Sequence, residues 1–268
     1  MASADREKFA VLHRASRVWA IAAVHGMAGQ LVRLHEELDR RLAPGDRIVY
    51  LGNHMGHGGD VLDTIDEMIE YRRRFLARPR SFLFDIAYLR GSQEEMWQKL
   101  LQLQFAPNPR EVLQWMLDHG VGATLAAYGG SPNEGMISAR DGAVSITRWT
   151  NALRTAMQAR PGHAALMSAL RRAAYTDDNA LLFVHAGIDP GRPLTAQSDA
   201  LWWGGDGFRQ LSEPFGGFQR VVRGFEREHG GVTVGAWSTS VDGGAGFGGT
   251  LIAACFGTDG EICEQIEA

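Results

Sequence analysis

Four glycine-marked loops hold most of the residues in this chain that could do chemistry. The first two are Ile21-Ala22-Ala23-Val24-His25-Gly26 and Leu51-Gly52-Asn53-His54-Met55-Gly56-His57-Gly58. The others are Leu89-Arg90-Gly91-Ser92-Gln93-Glu94 and Phe183-Val184-His185-Ala186-Gly187-Ile188-Asp189-Pro190-Gly191. Their polar content is dominated by imidazole, which exchanges protons near neutral pH and ligates transition metals through a neutral nitrogen. Two readings follow for His25, Asn53, His54, His57 and His185. They could hold a single zinc, copper or nickel ion, or they could be polar groups packed into a pocket. Histidines three apart on a loop, as at positions 54 and 57, are not a reliable ligand pattern.

In order and spacing these loops resemble G-D-x-H-G, G-D-x-x-D-R-G, G-N-H-E and H-A-G of the calcineurin-like metallophosphoesterases. The nearest likeness is to the bacterial phosphoprotein-phosphatase and diadenosine-tetraphosphatase branch. Two later segments extend it: Trp115 followed by His119-Gly120-Val121-Gly122-Ala123-Thr124-Leu125-Ala126-Ala127-Tyr128-Gly129, and Asp242-Gly243-Gly244-Ala245-Gly246-Phe247-Gly248-Gly249-Thr250-Leu251. The likeness runs over residues 18–257. It implies a fold of two mixed β-sheets flanked by helices, an α/β/β/α sandwich. It also implies hydrolysis of phosphate esters at two metal ions that clamp the phosphate and a bridging hydroxide.

The residues that this chemistry needs are mostly replaced. The six ligand positions implied by the resemblance are Ala23, His25, Asn53, Ser92, His185 and Phe225, and only His25 and His185 keep the expected side chain. No carboxyl group is left among them, and two divalent ions without anionic ligands are strongly disfavoured. The catalytic positions are also degenerate. Gly56 stands for a supporting aspartate, His57 and Gly204 for phosphate-binding arginines, and Gln93 for the acid histidine. Glutamine exchanges no proton near neutral pH. Asp189, after the H-A-G loop, would repel phosphate. His229 is four residues beyond Phe225 and is expected to reach the site only if that loop is remodelled.

Elements that alternate between apolar runs and amphipathic stretches must position these loops. Residues 18–24 and 47–51 read as buried strands, and 27–42 and 60–76 as helices with apolar residues three and four apart. Arg72, Arg73 and Arg74 close the second helix, where cations suit the dipole, and read as solvated structure. A third strand is expected at Ser81-Phe82-Leu83-Phe84 with Tyr88-Leu89 after it, then helices at 93–103 and 109–118. Glu94 and Glu95 are expected to begin the first of these. Residues 130–145 are rich in Gly and Ser and read as a surface excursion, and 147–174 as helical. Strands follow at 181–184, 220–222, 232–234, 238–241 and 250–256. The glycine-rich 243–249 run reads as a tight turn, and Trp202 and Trp203 as either core or recognition surface.

The 268 residues, 45% hydrophobic and 22% charged, suit a soluble globular chain. A net charge of −4 gives no argument for a nucleic-acid or membrane surface. No stretch reaches the roughly 18 apolar residues of a membrane span. Cys255 and Cys263 read as a pair of buried thiols. The expectation is one metallophosphoesterase-like domain over 1–268, with a helical cap around 130–175. It is expected to be a cytoplasmic pseudoenzyme that binds an unknown protein or phosphorylated ligand, with no cofactor beyond at most one weakly held transition metal. The competing expectation is a metal-dependent phosphoesterase, a serine/threonine phosphatase or dinucleotide polyphosphate hydrolase, with a rebuilt histidine site.

Overall fold

Arg17–Ile21 (β2), Asp46–Tyr50 (β3) and Ile86–Tyr88 (β4) lie side by side in parallel. Their apolar runs are continuous because both faces of the sheet are covered. Ile252–Phe256 (β10) adds antiparallel to β2, and Ile262–Glu267 (β11) closes this five-stranded sheet. The second sheet contains Phe9–Leu12 (β1), Ala173–Thr176 (β5), Leu181–Val184 (β6), Arg220–Arg223 (β7), Gly231–Val234 (β8) and Ser238–Asp242 (β9). Its order is β1-β5-β6-β7-β9-β8. This computed structural model describes residues 8–268.

The two-residue period of the strands sorts side chains between two cores. In β6, Leu181 and Phe183 face the first sheet, whereas Leu182 and Val184 face the opposite side. The Phe183 and Phe256 rings meet edge-on between the sheets at 6.1 Å. Helices Ala28–Arg41 (α1) and Val61–Leu76 (α2) cover the five-stranded sheet, burying Leu31, Leu34, Leu38, Ile65 and Met68 at helical spacing. The outer face of the other sheet is covered by the short helix Ala200–Trp203 (α9), by a 3₁₀ turn that carries Phe208, and by the bridged pair Phe215 and Phe218. Two mixed sheets flanked by helices are therefore present as expected.

The middle of the chain is more helical than its composition suggests. Ser92–Leu100 (α3), Pro109–Asp118 (α4), Val121–Ala127 (α5), Pro132–Asp141 (α6), Ala143–Gln158 (α7) and His163–Ala169 (α8) follow in order. Most of residues 130–145 is thus helix, in α6 and the start of α7, not an irregular excursion. Ser131 caps α6 by accepting from Glu134 N at 3.2 Å, and Pro132 opens it with a preset φ. Gly135 allows α6 to approach α7, since a Cβ there would sit 2.7 Å from the Trp149 ring. Nor is 147–174 helical to its end, because Ala173–Thr176 pairs between β1 and β6.

Other expectations also change. Residues 81–84 are not a strand. The Asp85 carboxyl accepts from Phe82 N at 2.9 Å, closing a 3₁₀ turn at Leu83–Asp85 before the strand begins at Ile86. Strands β1, β5 and β11 are additions to the sequence reading. Cys255 is buried but Cys263 is exposed, so the thiols are not a buried pair, although Cys263 Sγ lies 3.4 Å from Cys255 O across the β10–β11 hairpin.

Candidate functional site

The loops that leave β2, β3, β4, β6 and β7 meet at one edge, where backbone bonds join them across the two sheets. Val24 N and His25 N donate to Asn53 O at 3.0 and 2.7 Å, and Ala23 N donates to Gly224 O at 3.0 Å. Gly224 N and Phe225 N both donate to His185 O at 3.0 Å. His25 and Asn53 adopt positive φ values of 53° and 51°, a cost that persists only where surrounding bonds impose it. At Gly91 the approach is closer still, since a Cβ would fall 2.2 Å from Asn53 N.

Glu94 fixes the second loop. Its buried carboxyl accepts from the backbone N–H groups of Asn53, His54 and Met55 at 3.0, 2.8 and 3.1 Å, and of Gly91 at 2.7 Å. Glu94 and Glu95 do lie in the first turn of α3, and Glu94 also holds the site's backbone in place. Asn53 is oriented from the same side, with Oδ1 accepting from Gln93 N at 2.9 Å and Ser92 Oγ at 3.1 Å. That leaves Nδ2 to donate to His25 Nε2 at 3.3 Å. The network therefore assigns His25 the Nδ1–H tautomer.

Rings complete the site. Phe225 stacks on His185 at 5.4 Å with 14° between planes, and meets His25 at 5.7 Å. His25 also contacts His57 and Phe247, both at 5.1 Å, and His57 lies 4.4 Å from Phe247. Burial holds the His25 imidazole well below its usual pKa, and the nearby His57 and His185 lower it further. Burial also pushes His185 down to about 4 and lowers His54 and His57. His185 Nδ1 donates to Leu51 O at 2.7 Å, leaving Nε2 as an acceptor without a hydrogen-bond partner among the described residues; His25 Nδ1 is likewise without one there.

These residues do not fit a binuclear metal centre. Both oxygens of Glu94 are committed to backbone donors. The buried Asp242 carboxyl accepts from Glu226 N at 2.8 Å and Gly244 N at 3.0 Å, and pairs with His229 Nδ1 at 2.8 Å. Phe225, with no lone pair, lies against both His25 and His185. Among the described residues no three His, Cys, Asp or Glu side chains form a group able to hold a metal ion.

Gln93, Gly56 and Gly204, expected from the resemblance to stand at catalytic positions, are held by packing and hydrogen bonds. Gln93 Nε2 donates to His119 O at 2.8 Å, and a Cβ at Gly56 would sit 2.5 Å from Gln93 Cδ. Gly204, at φ 72°, packs 3.2 Å from where a Gly187 Cβ would be. Of the five pocket candidates, His25, Asn53, His57 and His185 gather with Phe225. His54 faces the other way, donating through Nε2 to Leu89 O at 2.9 Å beside the Tyr50 and Tyr88 rings. The glycine-rich 243–249 turn packs directly on the site, since a Cβ at Gly246 would approach His25 Cβ to 2.6 Å.

Two residues at this site have roles the sequence did not reveal. His229 reaches the site's edge, contacting Phe225 at 5.7 Å and stacking on Phe247 at 4.3 Å. Its φ of 49° and its bond to Asp242 place it there, and neither could be read from its position in the chain. Phe247 lies within the glycine-rich turn and joins His25, His57 and His229. Trp203 meets Trp115 edge-on at 5.3 Å, while Trp202 lies under Arg172 at 5.0 Å.

No protein-family profile and no curated protein matches this chain. Among solved structures it is similar to a candidate diadenosine tetraphosphatase, with TM-score 0.57, 15% identity and coverage of 98% of each chain. It is also similar to a protein serine/threonine phosphatase from Saccharomyces cerevisiae, with TM-score 0.50 and 14% identity, over 93% of this chain and 77% of that one. Two mixed sheets flanked by helices, with the candidate site at the edge where five strand-following loops meet, give this chain the fold of the calcineurin-like metallophosphoesterases.

Proposed function

We propose that this protein is a catalytically inactive phosphoesterase-fold protein that works by binding a partner, not by hydrolysing phosphate esters. The observation that carries this reading is Phe225, whose ring lies against both His25 and His185. A phenyl ring there supplies neither ligand nor charge, and the nearest buried carboxyls are committed to backbone donors and to His229. Loss of phosphate-binding charge at His57 and Gly204 points the same way. In this reading the former cleft and the helices within 130–175 are the contact surface. The partner is a protein or a phosphorylated ligand rather than nucleic acid, and the setting is cytoplasmic. Among the described residues no helix is long and apolar enough to cross a membrane.

The test is metal analysis of untagged protein together with phosphatase and phosphodiesterase assays in added manganese. The expected result is metal far below one ion per chain and no turnover. Tightly held metal with turnover abolished by His25→Ala or His185→Ala would overturn the reading and establish a rebuilt histidine site. The replacements Ala23→Asp, Asn53→Asp, Ser92→Asn and Phe225→His are expected to recover manganese binding only in combination, as read by calorimetric titration, since any one alone leaves most of the ionic charge unbalanced.

A further inference from the structure

The six-stranded sheet ends at β8, at the opposite end of its order from β1. A tight hairpin joins β8 to β9, and in it Gly235 N donates to Ser238 O at 2.7 Å. Bonded and non-bonded pairs alternate along an antiparallel ladder, so Thr233 and Gly231 also turn their backbone groups toward Ser240 and Asp242. β9 agrees with this phase. Trp237 O accepts from Val221 N on the β7 side at 2.9 Å, which leaves 238, 240 and 242 to face β8. The backbone N–H and C=O groups of Val232 and Val234 therefore point away from the sheet. Among the described residues no strand pairs with β8 on that side.

Sheet edges are commonly guarded by charge or proline, which discourages further pairing. β11, an edge of the other sheet, carries Glu264 and Glu267. β8 has no such guard. Residues 229–237 read His-Gly-Gly-Val-Thr-Val-Gly-Ala-Trp, without Asp, Glu, Lys, Arg or Pro. Thr233 and Val234 are exposed, Val234 by 57%, while Val232 packs beside the core between the sheets. Residues 231–235, Gly-Val-Thr-Val-Gly, are the same in both directions. An antiparallel copy of this strand fits onto it about a two-fold axis at Thr233. In that register Val232 meets Val234 of the second copy, and both present their free backbone groups to each other. Each of these Val pairs exchanges two main-chain bonds, and Thr233 meets its own copy in the close, non-hydrogen-bonded position.

We propose that β8 is where two copies of this chain associate, joining their six-stranded sheets through an antiparallel β8–β8 pair centred on Thr233. Charge permits the contact, because two chains of net charge −4 meet through a segment free of acidic side chains. The valines form one apolar row that continues the core between the sheets, and the threonines pair on the opposite face. The flanking Gly231 and Gly235 lie opposite each other and add no side chain to clash. The overlap sets the strength. It is far smaller than the roughly 20–30 residues a side of a standard interface, so the dimer is a weak one, with micromolar dissociation. This interface does not depend on whether the histidine cluster is catalytic.

The experiment is sedimentation equilibrium of the full-length protein from about 1 to 200 µM, the range that suits so small an interface. The mean mass should rise from 29.3 kDa toward twice that value. Thr233→Lys sets like charges directly opposite and should weaken association about tenfold or more, with thermal melting of the dilute monomer unchanged. Register is read by oxidation in a Cys263→Ser background, which removes the exposed native thiol. Thr233→Cys should then give a disulfide-linked dimer, because Cα atoms of a non-hydrogen-bonded pair lie about 4.5 Å apart. Val234→Cys should give none, since the two copies of that position are offset by two residues and out of disulfide reach. Hydrogen exchange at high concentration should show new protection of the Val232 and Val234 amides. A dimer indifferent to Thr233→Lys, or linked through Val234→Cys in place of Thr233→Cys, would overturn the proposal. So would a chain that stays monomeric with no linkage through Thr233→Cys, which would leave this edge to a strand of a different protein.

Discussion

Phe225 and Glu94 show how two side chains can fix the character of a site. Phe225 places a ring against both ligand-type histidines, and Glu94 holds the backbone of the loop that carries Asn53. Four backbone donors converge on the Glu94 carboxyl, so Glu94→Gln replaces an acceptor oxygen with an amide that itself donates. Unmet buried donors of this kind cost about 1–3 kcal/mol each. The variant should lose roughly 3 kcal/mol of stability in equilibrium denaturation, and a loss under about 1 kcal/mol would show that the loop holds itself. The sequence placed Glu94 at the start of a helix correctly. It could not show three of the carboxyl's four partners, because Asn53, His54 and Met55 lie about forty positions earlier in the chain.

At the scale of elements, helix ends and glycines carry local information that tertiary packing then uses. Ser131-Pro132 before Glu134 is a helix start, and the Gly and Ser content around it obscured that signal. Ser131→Ala should cost about 1 kcal/mol, visible as a lower denaturant midpoint with unchanged slope. Gly91→Ala acts differently, because its Cβ would fall 2.2 Å from the Asn53 backbone nitrogen, which cannot swing aside, as well as 2.3 Å from Asn53 Oδ1. It should destabilise by more than about 3 kcal/mol, and near-native stability would mean that the β3 and β4 loops can separate. The Phe82-Leu83-Phe84 run looked like a strand for a sound reason, its apolarity. A local bond from Phe82 N to Asp85 turned it into an exposed turn instead.

For the whole molecule, burying uncharged imidazoles links stability to pH. His185 falls from 6.5 to about 4 through burial, and His25 and His54 are lowered by the same cause. Above pH 6.5 the folded and unfolded chains both carry neutral rings, and the contribution is constant. Below it the unfolded chain takes up protons that the folded chain refuses until about pH 4, so stability falls as pH falls through that window. At about 1.4 kcal/mol per pKa unit, His185 alone accounts for roughly 3 kcal/mol. Urea midpoints should therefore drop between about pH 7.5 and 5, and His185→Gln should flatten the curve. A flat wild-type profile would mean that these rings are protonated or hydrated in the folded state.

The strand–loop framework was legible from the residues alone, because apolar runs ending in glycine turns need no distant partner to be recognised. The sequence also excluded a metal bond from the side chains of Ala23 and Phe225, since neither carries a donor atom in any fold. Where the polar groups point was settled by packing between the two sheets. His54 turns toward Tyr50 and Tyr88, His229 swings into the site on Asp242, and β1, β5 and β11 take places in sheets that their own short, weakly patterned sequences do not announce. Those outcomes depend on hydrogen bonds and ring contacts between residues far apart in the chain, and such contacts exist only once the two sheets have packed.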